Sequence, residues 1–215
     1  MRPALFICMV AIISLLPPDK GQTFESRTFE SSTAGSSTAE SPTAESPTAE
    51  GSTAQTWTAD ASKARVLFTV KGPFPFGTVH GSFSGLQATI RFDEKDLPGS
   101  AVSASIDAKT VSTGIGLRNS DLRNKEEWLN TDKYPRISFK SSKIEKAPKD
   151  FKAIGELTLK GTTRPVEIPF SFTASGHAGV FKGRFAINRE DYKVGKPGGS
   201  VGSTITIELE VPVSK

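Results

Sequence analysis

Apolar residues recur at every second position from residue 57 almost to the end of the chain. In one segment, for example, Phe151, Ala153, Leu157 and Leu159 alternate mainly with polar residues. A period of two places successive side chains on opposite faces of an extended strand. The same period is found in residues 66–70, 86–92, 102–108, 137–139, 166–172, 181–187 and 205–211. Each segment is therefore predicted to be a strand with one apolar and one polar face.

Turns rich in glycine and proline separate these segments, among them Gly72-Pro73 and Lys160-Gly161. Eight or nine short strands of this kind predict an antiparallel sheet that must bury its apolar face against itself. Closing the sheet into a barrel buries that face and also removes the sheet edges. We therefore predict an all-β fold, an eight-stranded antiparallel β-barrel, with a two-sheet sandwich as the alternative.

One stretch departs from the two-residue period. Residues 119–129 place a few large apolar side chains among many charged ones, with Asn119 or Ser120 as a candidate N-cap and Pro135 beyond the end. This composition predicts one short helix that lies near the mouth of the barrel.

The first 16 residues have the composition of an export signal. Arg2 precedes an apolar run over residues 4–16, which is only 13 residues long. At about 1.5 Å per helical residue, such a run is too short for the roughly 30 Å hydrocarbon core of a bilayer. We therefore predict a secretory signal peptide over residues 1–16, without a clear cleavage site, and a secreted or periplasmic protein.

Residues 17–56 form a different kind of segment, in which threonine recurs at every fifth position in units such as Thr-Ala-Glu-Ser-Pro. Neither a helix nor a strand has a period of five, and the segment offers no apolar face to offset the entropy of ordering. The repeat therefore predicts a disordered pentapeptide-repeat spacer over residues 17–56, followed by a single barrel domain over residues 57–215.

Composition excludes several kinds of active site from residues 57–215. The only cysteine is Cys8, so a disulfide framework, a cysteine zinc site and a cysteine nucleophile are excluded there. His80 and His177 are far apart in sequence, which argues against a histidine metal site. The Gly-x-Ser-x-Gly string at residues 198–202 is followed by a strand pattern rather than a helix, so it is interpreted as a hairpin loop. We predict no catalytic residue and no metal.

The charge of residues 57–215 is positive, with 24 lysine and arginine residues against 17 aspartate and glutamate residues. These basic residues are spread over the polar faces of all the strands rather than grouped in one block, which is typical of a solvated surface. A nucleic-acid partner is therefore not predicted.

The predicted interior combines large and small side chains. Phenylalanine residues such as Phe92 and Phe181 share the apolar faces with alanine and glycine residues such as Ala88 and Gly183. Eight-stranded barrels are either filled by their side chains or hold one small ligand, and a mixture of sizes is compatible with both. A filled core and an open lumen therefore remain alternatives at this point.

Several short segments carry a family resemblance. They are residues 57–60, 79–83, 103–107, 134–141, 155–166 and 187–192. The sequence Gly-Glu-Leu-Thr-Leu-Lys-Gly-Thr-Thr-Arg-Pro-Val at 155–166 is the most specific of them. In this order, over residues 57–213, they resemble the YceI-like polyisoprenoid-binding family. The resemblance implies a lipocalin-like barrel that is exported and holds a long isoprenoid chain in its lumen, without a catalytic site or another cofactor.

The resemblance and the apolar faces together give a set of candidate ligand-binding residues. They are Phe68, Phe83, Ala104, Arg118, Leu122, Trp128, Phe139 and Gly155. Arg118 is the candidate for binding an anionic head group, although a helical ion pair with Asp121 is an alternative role for it. The family usually has a histidine at the position of Asp121, so this chain differs from it at the mouth.

The function predicted from these features is storage, shielding or transport of a polyisoprenoid or similar long apolar chain. The predicted partners are a long-chain isoprenoid lipid, a membrane that is contacted only transiently, and a second copy in a homodimer. The alternative function is a packed barrel without ligand that acts as an interaction module of the cell envelope or of a stress response.

Overall fold

The computed structural model describes residues 54–73, 75 and 77–215. The predicted signal peptide over residues 1–16 and all but the end of the predicted spacer lie outside the described residues, so both stay predictions.

Ten strand segments and one α-helix make up the described part of the chain. The helix α1 comprises Gly116–Asn124, and short 3-10 turns cover Ala108–Thr110 and Arg189–Tyr192. The strands are β1 (Gln55–Ala59), β2 (Arg65–Lys71), β3 (Thr78–Phe83), β4 (Gln87–Phe92), β5 (Ala101–Asp107), β6 (Arg136–Lys146), β7 (Phe151–Leu159), β8 (Thr162–Ser175), β9 (Ala178–Asn188) and β10 (Thr204–Ser214). None of the helices described is long and apolar enough to cross a membrane.

All strand pairs are antiparallel, and they close into a ring. The strands β4 to β10 follow one another, with β4 bonded to β1 and β1 bonded in turn to β10 through the pair Thr58 and Ser214. The segments β1 and β2 both pair with β10, so they are two halves of one bent strand. On the other side β1 pairs with β4 and β2 pairs with β3, so β3 and β4 are two halves of the neighbouring strand. The ring therefore has eight strands, which confirms the predicted barrel.

The loops at the two ends of the barrel differ in length. The long crossover at residues 108–135, which contains α1, lies at the same end as the hydrogen-bonded residues Gly72 and Gly77 and the loop at 189–203. We call this end the mouth. Short turns at residues 147–150 and 176–177 and the loop at 93–100 lie at the opposite end.

The helix α1 begins and ends earlier than the predicted helix over residues 119–129, so that prediction was wrong in its bounds. Asn119 is not an N-cap, because its side-chain oxygen accepts hydrogen bonds from the amide and the hydroxyl of Thr113, at 2.8 and 2.7 Å. These bonds stabilise the turn that precedes the helix. Lys125 has an extended backbone that ends the helix, so the remaining predicted residues lie in turns.

The strand β3 was missing from the predicted segments. Its alternation is interrupted by Gly81, which lies directly opposite Phe68 on β2. The ring of Phe68 occupies the space that a Cβ atom at Gly81 would need. Close packing of an aromatic ring on a glycine of the neighbouring strand is a recognised way of stabilising a sheet. In the sequence it leaves a gap in the alternation between Val79 and Phe83, so the period of two is not recognisable over this short strand.

Candidate functional site: the barrel lumen

The barrel encloses a cavity of about 270 Å³. Of its 35 lining residues, 30 have apolar side chains, and they come from strands all around the barrel and from the mouth loops. For comparison, an apolar cavity of about 150 Å³ stays dry and binds benzene. The lumen is therefore open rather than filled, and its surface suits a hydrocarbon.

An aromatic cluster fills the barrel end opposite the mouth. At its centre is Phe92, which is 2% exposed. The centroid of its ring lies 5.0 Å from that of Phe151, 5.6 Å from Phe170, 5.2 Å from Phe172 and 5.5 Å from Phe181, all edge-on. Edge-to-face pairs at such distances are stabilising beyond the area they bury. These rings close one end of the lumen.

Small side chains account for the open space in the middle of the barrel. Ala88 on β4 and Ala104 on β5 lie opposite each other, and both line the cavity together with Ala153 on β7. Ala104 also pairs with Phe139 on β6, so one wall of the lumen has a ring beside two methyl groups. The cavity exists because the alanines occur together here, while most of the rings are gathered at the closed end.

Two loops cover the lumen at the mouth. The crossover contributes Leu122 and Trp128 to the lining, and the loop at 189–203 contributes Val194. The two loops are joined where the amide of Gly195 donates to the carbonyl of Glu127 at 2.6 Å. A Cβ atom at Gly195 would lie 2.8 Å from the ring of Trp128, so a glycine is needed for this close approach.

A buried arginine holds the second of these loops in place. Arg189 is 2% exposed and lines the cavity. Its Nε donates to the carbonyl of Gly202 at 2.9 Å, its Nη1 to Val194 at 2.7 Å and Lys196 at 3.3 Å, and its Nη2 to Lys196 at 3.3 Å and Val201 at 2.7 Å. All five guanidinium donors are thus used by backbone carbonyls, so Arg189 has a structural role at the mouth.

The basic residues of α1 and its C-terminal end differ in how they are bound. Lys125 forms an ion pair with Asp121 at 2.9 Å, and Arg123 donates to the carbonyl of Val111 at 2.9 Å. Arg118 is half-buried, and no hydrogen bond or ion pair to its guanidinium is found within the described part of the chain. The alternative pairing of Arg118 with Asp121 is therefore not found, because Asp121 binds Lys125 instead.

Two apolar side chains at the start of α1 point into solvent. Ile115 is 49% and Leu117 is 77% exposed. They lie at the mouth, in the same crossover that supplies lining residues to the lumen. Exposed aliphatic side chains beside a half-buried arginine form a small surface that is both apolar and basic.

The predicted binding residues fall into two groups. Those that line the cavity are Phe68, Phe83, Ala104, Leu122, Trp128 and Phe139. Arg118 and Gly155 are outside the lining set. Whether any of them contacts a ligand stays a prediction.

Gly155 has a backbone role in the barrel wall. A Cβ atom there would collide with the carbonyl oxygen of Lys140 and would lie 2.7 Å from the Cα of Ser141, where β6 has a bulge. The alternation alone did not indicate this, because it shows which face a residue is on and not how closely the next strand approaches.

Sequence reasoning missed the role of Arg189 in the mouth. The residue lies in the segment 187–192 that carries part of the family resemblance, and this was the available signal. A charged residue directly after a strand is usually solvated, so composition gave no reason to expect a buried guanidinium.

No group of three or more histidine, cysteine or acidic residues that could hold a metal is found within residues 54–73, 75 and 77–215. His80 and His177 are both exposed. Tyr192 is buried with its hydroxyl unpartnered, and burial raises the pKa of that hydroxyl. Tyr192 is not among the lining residues, so its hydroxyl does not add a polar group to the lumen. Because 30 of the 35 lining residues are apolar, the lumen surface consists almost wholly of hydrocarbon side chains.

A family model described as a YceI-like domain matches residues 57–213. Protein YceI of Escherichia coli is 33% identical over 101 residues, which are 47% of this chain and 52% of that protein. A UPF0312 protein of Yersinia enterocolitica is 32% identical over 102 residues, 47% of this chain and 53% of that protein. In each case the matched region spans about half the length of the relative.

Solved structures share the barrel. The crystal structure of BcnA from Burkholderia cenocepacia superposes with a TM-score of 0.66 at 24% identity, covering 73% of this chain and 99% of that one. A domain from Saccharophagus degradans, described as a polyisoprenoid binding domain implicated in plant cell wall breakdown, superposes with a TM-score of 0.57 at 14% identity, covering 74% and 97%. At these identities the likeness concerns the fold alone.

Proposed function

Because the chain belongs to the YceI-like domain family, we propose that its barrel binds the apolar chain of a lipid in the lumen. The observation that carries this proposal is the cavity of about 270 Å³ with its apolar lining. Burying a methylene group there contributes about 0.8 kcal/mol. A chain of ten buried carbons therefore has a gross hydrophobic contribution of roughly 8 kcal/mol, from which the ordering of the chain is subtracted.

An isoprenoid is the ligand class that we propose. Its methyl branches suit a lumen whose walls alternate between rings such as Phe139 and small residues such as Ala104. The name of the Saccharophagus degradans domain gives the same ligand class for a barrel of this fold.

We place the head group of the ligand at the mouth. Arg189 lines the lumen, but the N–H groups of its guanidinium already donate to backbone carbonyls, so they are not available to a ligand. Arg118 has no partner among the described residues, so it is available to an anionic group such as a phosphate. A charge-assisted hydrogen bond of this kind is worth about 1.5–3 kcal/mol.

The biological role that we propose is storage, shielding or transport of the lipid outside the cytoplasm. The apolar run at residues 4–16 supports export. The exposed side chains of Ile115 and Leu117 at the mouth support transient contact with a bilayer during transfer of the chain. We propose binding rather than catalysis, and self-association into a homodimer stays a prediction.

Extraction of the purified protein with organic solvent, followed by mass spectrometry, tests the proposal. We expect an isoprenoid or another long apolar molecule in amounts close to one per protein. Protein prepared without detergent that carries no lipid, and that takes up none when lipid is supplied, would favour the alternative function of an interaction module.

A pair of matched variants localises the binding. Ala104→Phe places a ring inside the lumen, whereas Ser103→Phe places the same ring on the exposed face of β5. We expect lipid binding to be lost in Ala104→Phe and kept in Ser103→Phe, with both variants folded. Equal binding by the two variants would show that the lipid lies elsewhere.

A further inference from the structure

We propose that the aromatic cluster at the closed end limits the length of chain that the lumen holds. This inference rests on the proposed function, and it specifies the ligand class further. It begins from the floor of the cavity, which is formed by Phe170 and Phe181. Both residues line the lumen, while Trp57, Phe92 and Phe151 lie behind them and do not.

The floor has little freedom to move aside. Phe181 stacks on Phe172 with a centroid distance of 4.3 Å, and Phe170 stacks on Phe151 at 5.6 Å. Both floor rings also contact the edge of Phe92, which is almost completely buried. Displacement of one floor ring therefore requires several buried rings to move together, and interiors packed at this density resist such changes.

The volume of the cavity gives the length of chain. Since a cavity of about 150 Å³ holds the six carbons of benzene, a cavity of 270 Å³ holds on the order of ten to fifteen carbons. This corresponds to about two or three isoprene units. A longer chain leaves its remaining units at the mouth, between the crossover and bulk solvent.

A limit of this kind changes how affinity depends on chain length. Each methylene that enters the lumen raises the affinity about fourfold, since 0.8 kcal/mol corresponds to that factor. Units that stay outside add little. Affinity is therefore expected to rise steeply up to about 15 carbons and then to change by less than about threefold for each further unit.

Titration calorimetry with isoprenyl phosphates of 10, 15, 20 and 25 carbons measures this dependence, because the head group is the same throughout. The informative variants are Phe181→Leu and Phe170→Leu, which shorten the floor. The matched control is Ile144→Ala, which also removes three side-chain carbons from a buried residue, but at a position on β6 that does not line the lumen.

In the wild type and in Ile144→Ala, we expect the affinity to stop rising near 15 carbons. In Phe181→Leu or Phe170→Leu, we expect the ratio of affinities for 20 against 15 carbons to increase at least tenfold. Both floor variants are prepared in case one of them does not fold. Circular dichroism shows which of them keeps the β-sheet content of the wild type, and the titrations use that variant.

Two results overturn the limit while leaving lipid binding intact. One is a wild-type affinity that keeps rising steeply up to 25 carbons. The other is a ratio of affinities for 20 against 15 carbons that is the same in the floor variants as in Ile144→Ala. Lack of binding at every chain length would refute the proposed function, and the limit with it.

Discussion

Replacement of Arg189 by methionine is expected to destabilise the barrel strongly. The guanidinium donates to four carbonyls in the mouth loop, those of Val194, Lys196, Val201 and Gly202. Methionine fills similar space but leaves these carbonyls without their donors, and each unsatisfied buried group costs about 1–3 kcal/mol. The substitution also removes a buried charge and with it the cost of desolvating that charge, which offsets part of the loss. The expected net loss in the free energy of unfolding is therefore about 2–4 kcal/mol.

Urea unfolding and thermal unfolding measure this loss. For a domain of this size, a loss of 2–4 kcal/mol corresponds to a fall in Tm of roughly 5–15 °C. Hydrogen exchange is expected to be fastest in the loop at 189–203, because it loses its anchor. Arg189→Lys is expected to restore less than half of the stability, since an ammonium group has three donors and lacks the planar fork.

Arg184→Met is the matched control for this experiment. Arg184 is exposed on the outer face of β9, and within the described part of the chain it forms an ion pair with Glu208 at 3.4 Å. Exposed pairs of this kind contribute about 0–1 kcal/mol. A loss below about 1 kcal/mol in Arg189→Met, or one equal to that in Arg184→Met, would refute the argument that the carbonyls of the loop depend on Arg189.

Four further predictions concern other parts of the molecule. Arg118→Ala should weaken the binding of an isoprenyl phosphate about tenfold or more while leaving the alcohol of the same chain unaffected, and equal losses in titration of both would contradict a head-group role. Hydrogen bonds from Ser62 and Lys63 lower the pKa of Asp60 from 3.8 to about 2, so the stability that Asp60 contributes is present above about pH 4 and is lost between pH 4 and 2. The difference in stability between wild type and Asp60→Asn should accordingly shrink over that range, and a constant difference would contradict it. Leu117→Ser should slow the transfer of a fluorescent lipid from vesicles without changing the equilibrium affinity, and an unchanged rate would argue against membrane contact at this residue. Removal of residues 17–53, which leaves β1 intact, should keep the Tm within about 5 °C of that of the whole mature chain, because the segment has no apolar face to pack, and a larger fall would show that it contacts the barrel.

The barrel could be predicted from the sequence because its main determinant is local. Alternation over a strand such as β7 or β10 depends only on which side chains face the core, so it can be recognised without knowing the neighbouring strands. The same reasoning failed for β3, where Gly81 makes room for Phe68 of the next strand. It also failed for the start of α1, where the side chain of Asn119 bonds to Thr113 and not to the helix.

The open lumen could not be predicted, because it depends on where the large residues meet. The sequence places many phenylalanine residues on the apolar faces, beside alanine and glycine residues. In the structure Phe92, Phe170 and Phe181 pack together at one end, while Ala88 and Ala104 are paired in the middle. Strand order and register set these positions, and neither can be deduced from the alternation of a single strand.

Methyl NMR of the alanines tests the central claim most directly, because alanine methyl groups occur both inside and outside the barrel wall. Ala88, Ala104 and Ala153 line the lumen, whereas Ala101 and Ala186 are exposed on the outer face. On titration with an isoprenol of 15 carbons, we expect shifts and contacts from the chain at the three lumen methyls and none at the two outer ones. Contacts at the outer methyls alone, or no change at any of the five, would contradict the account that the lumen is the lipid-binding site.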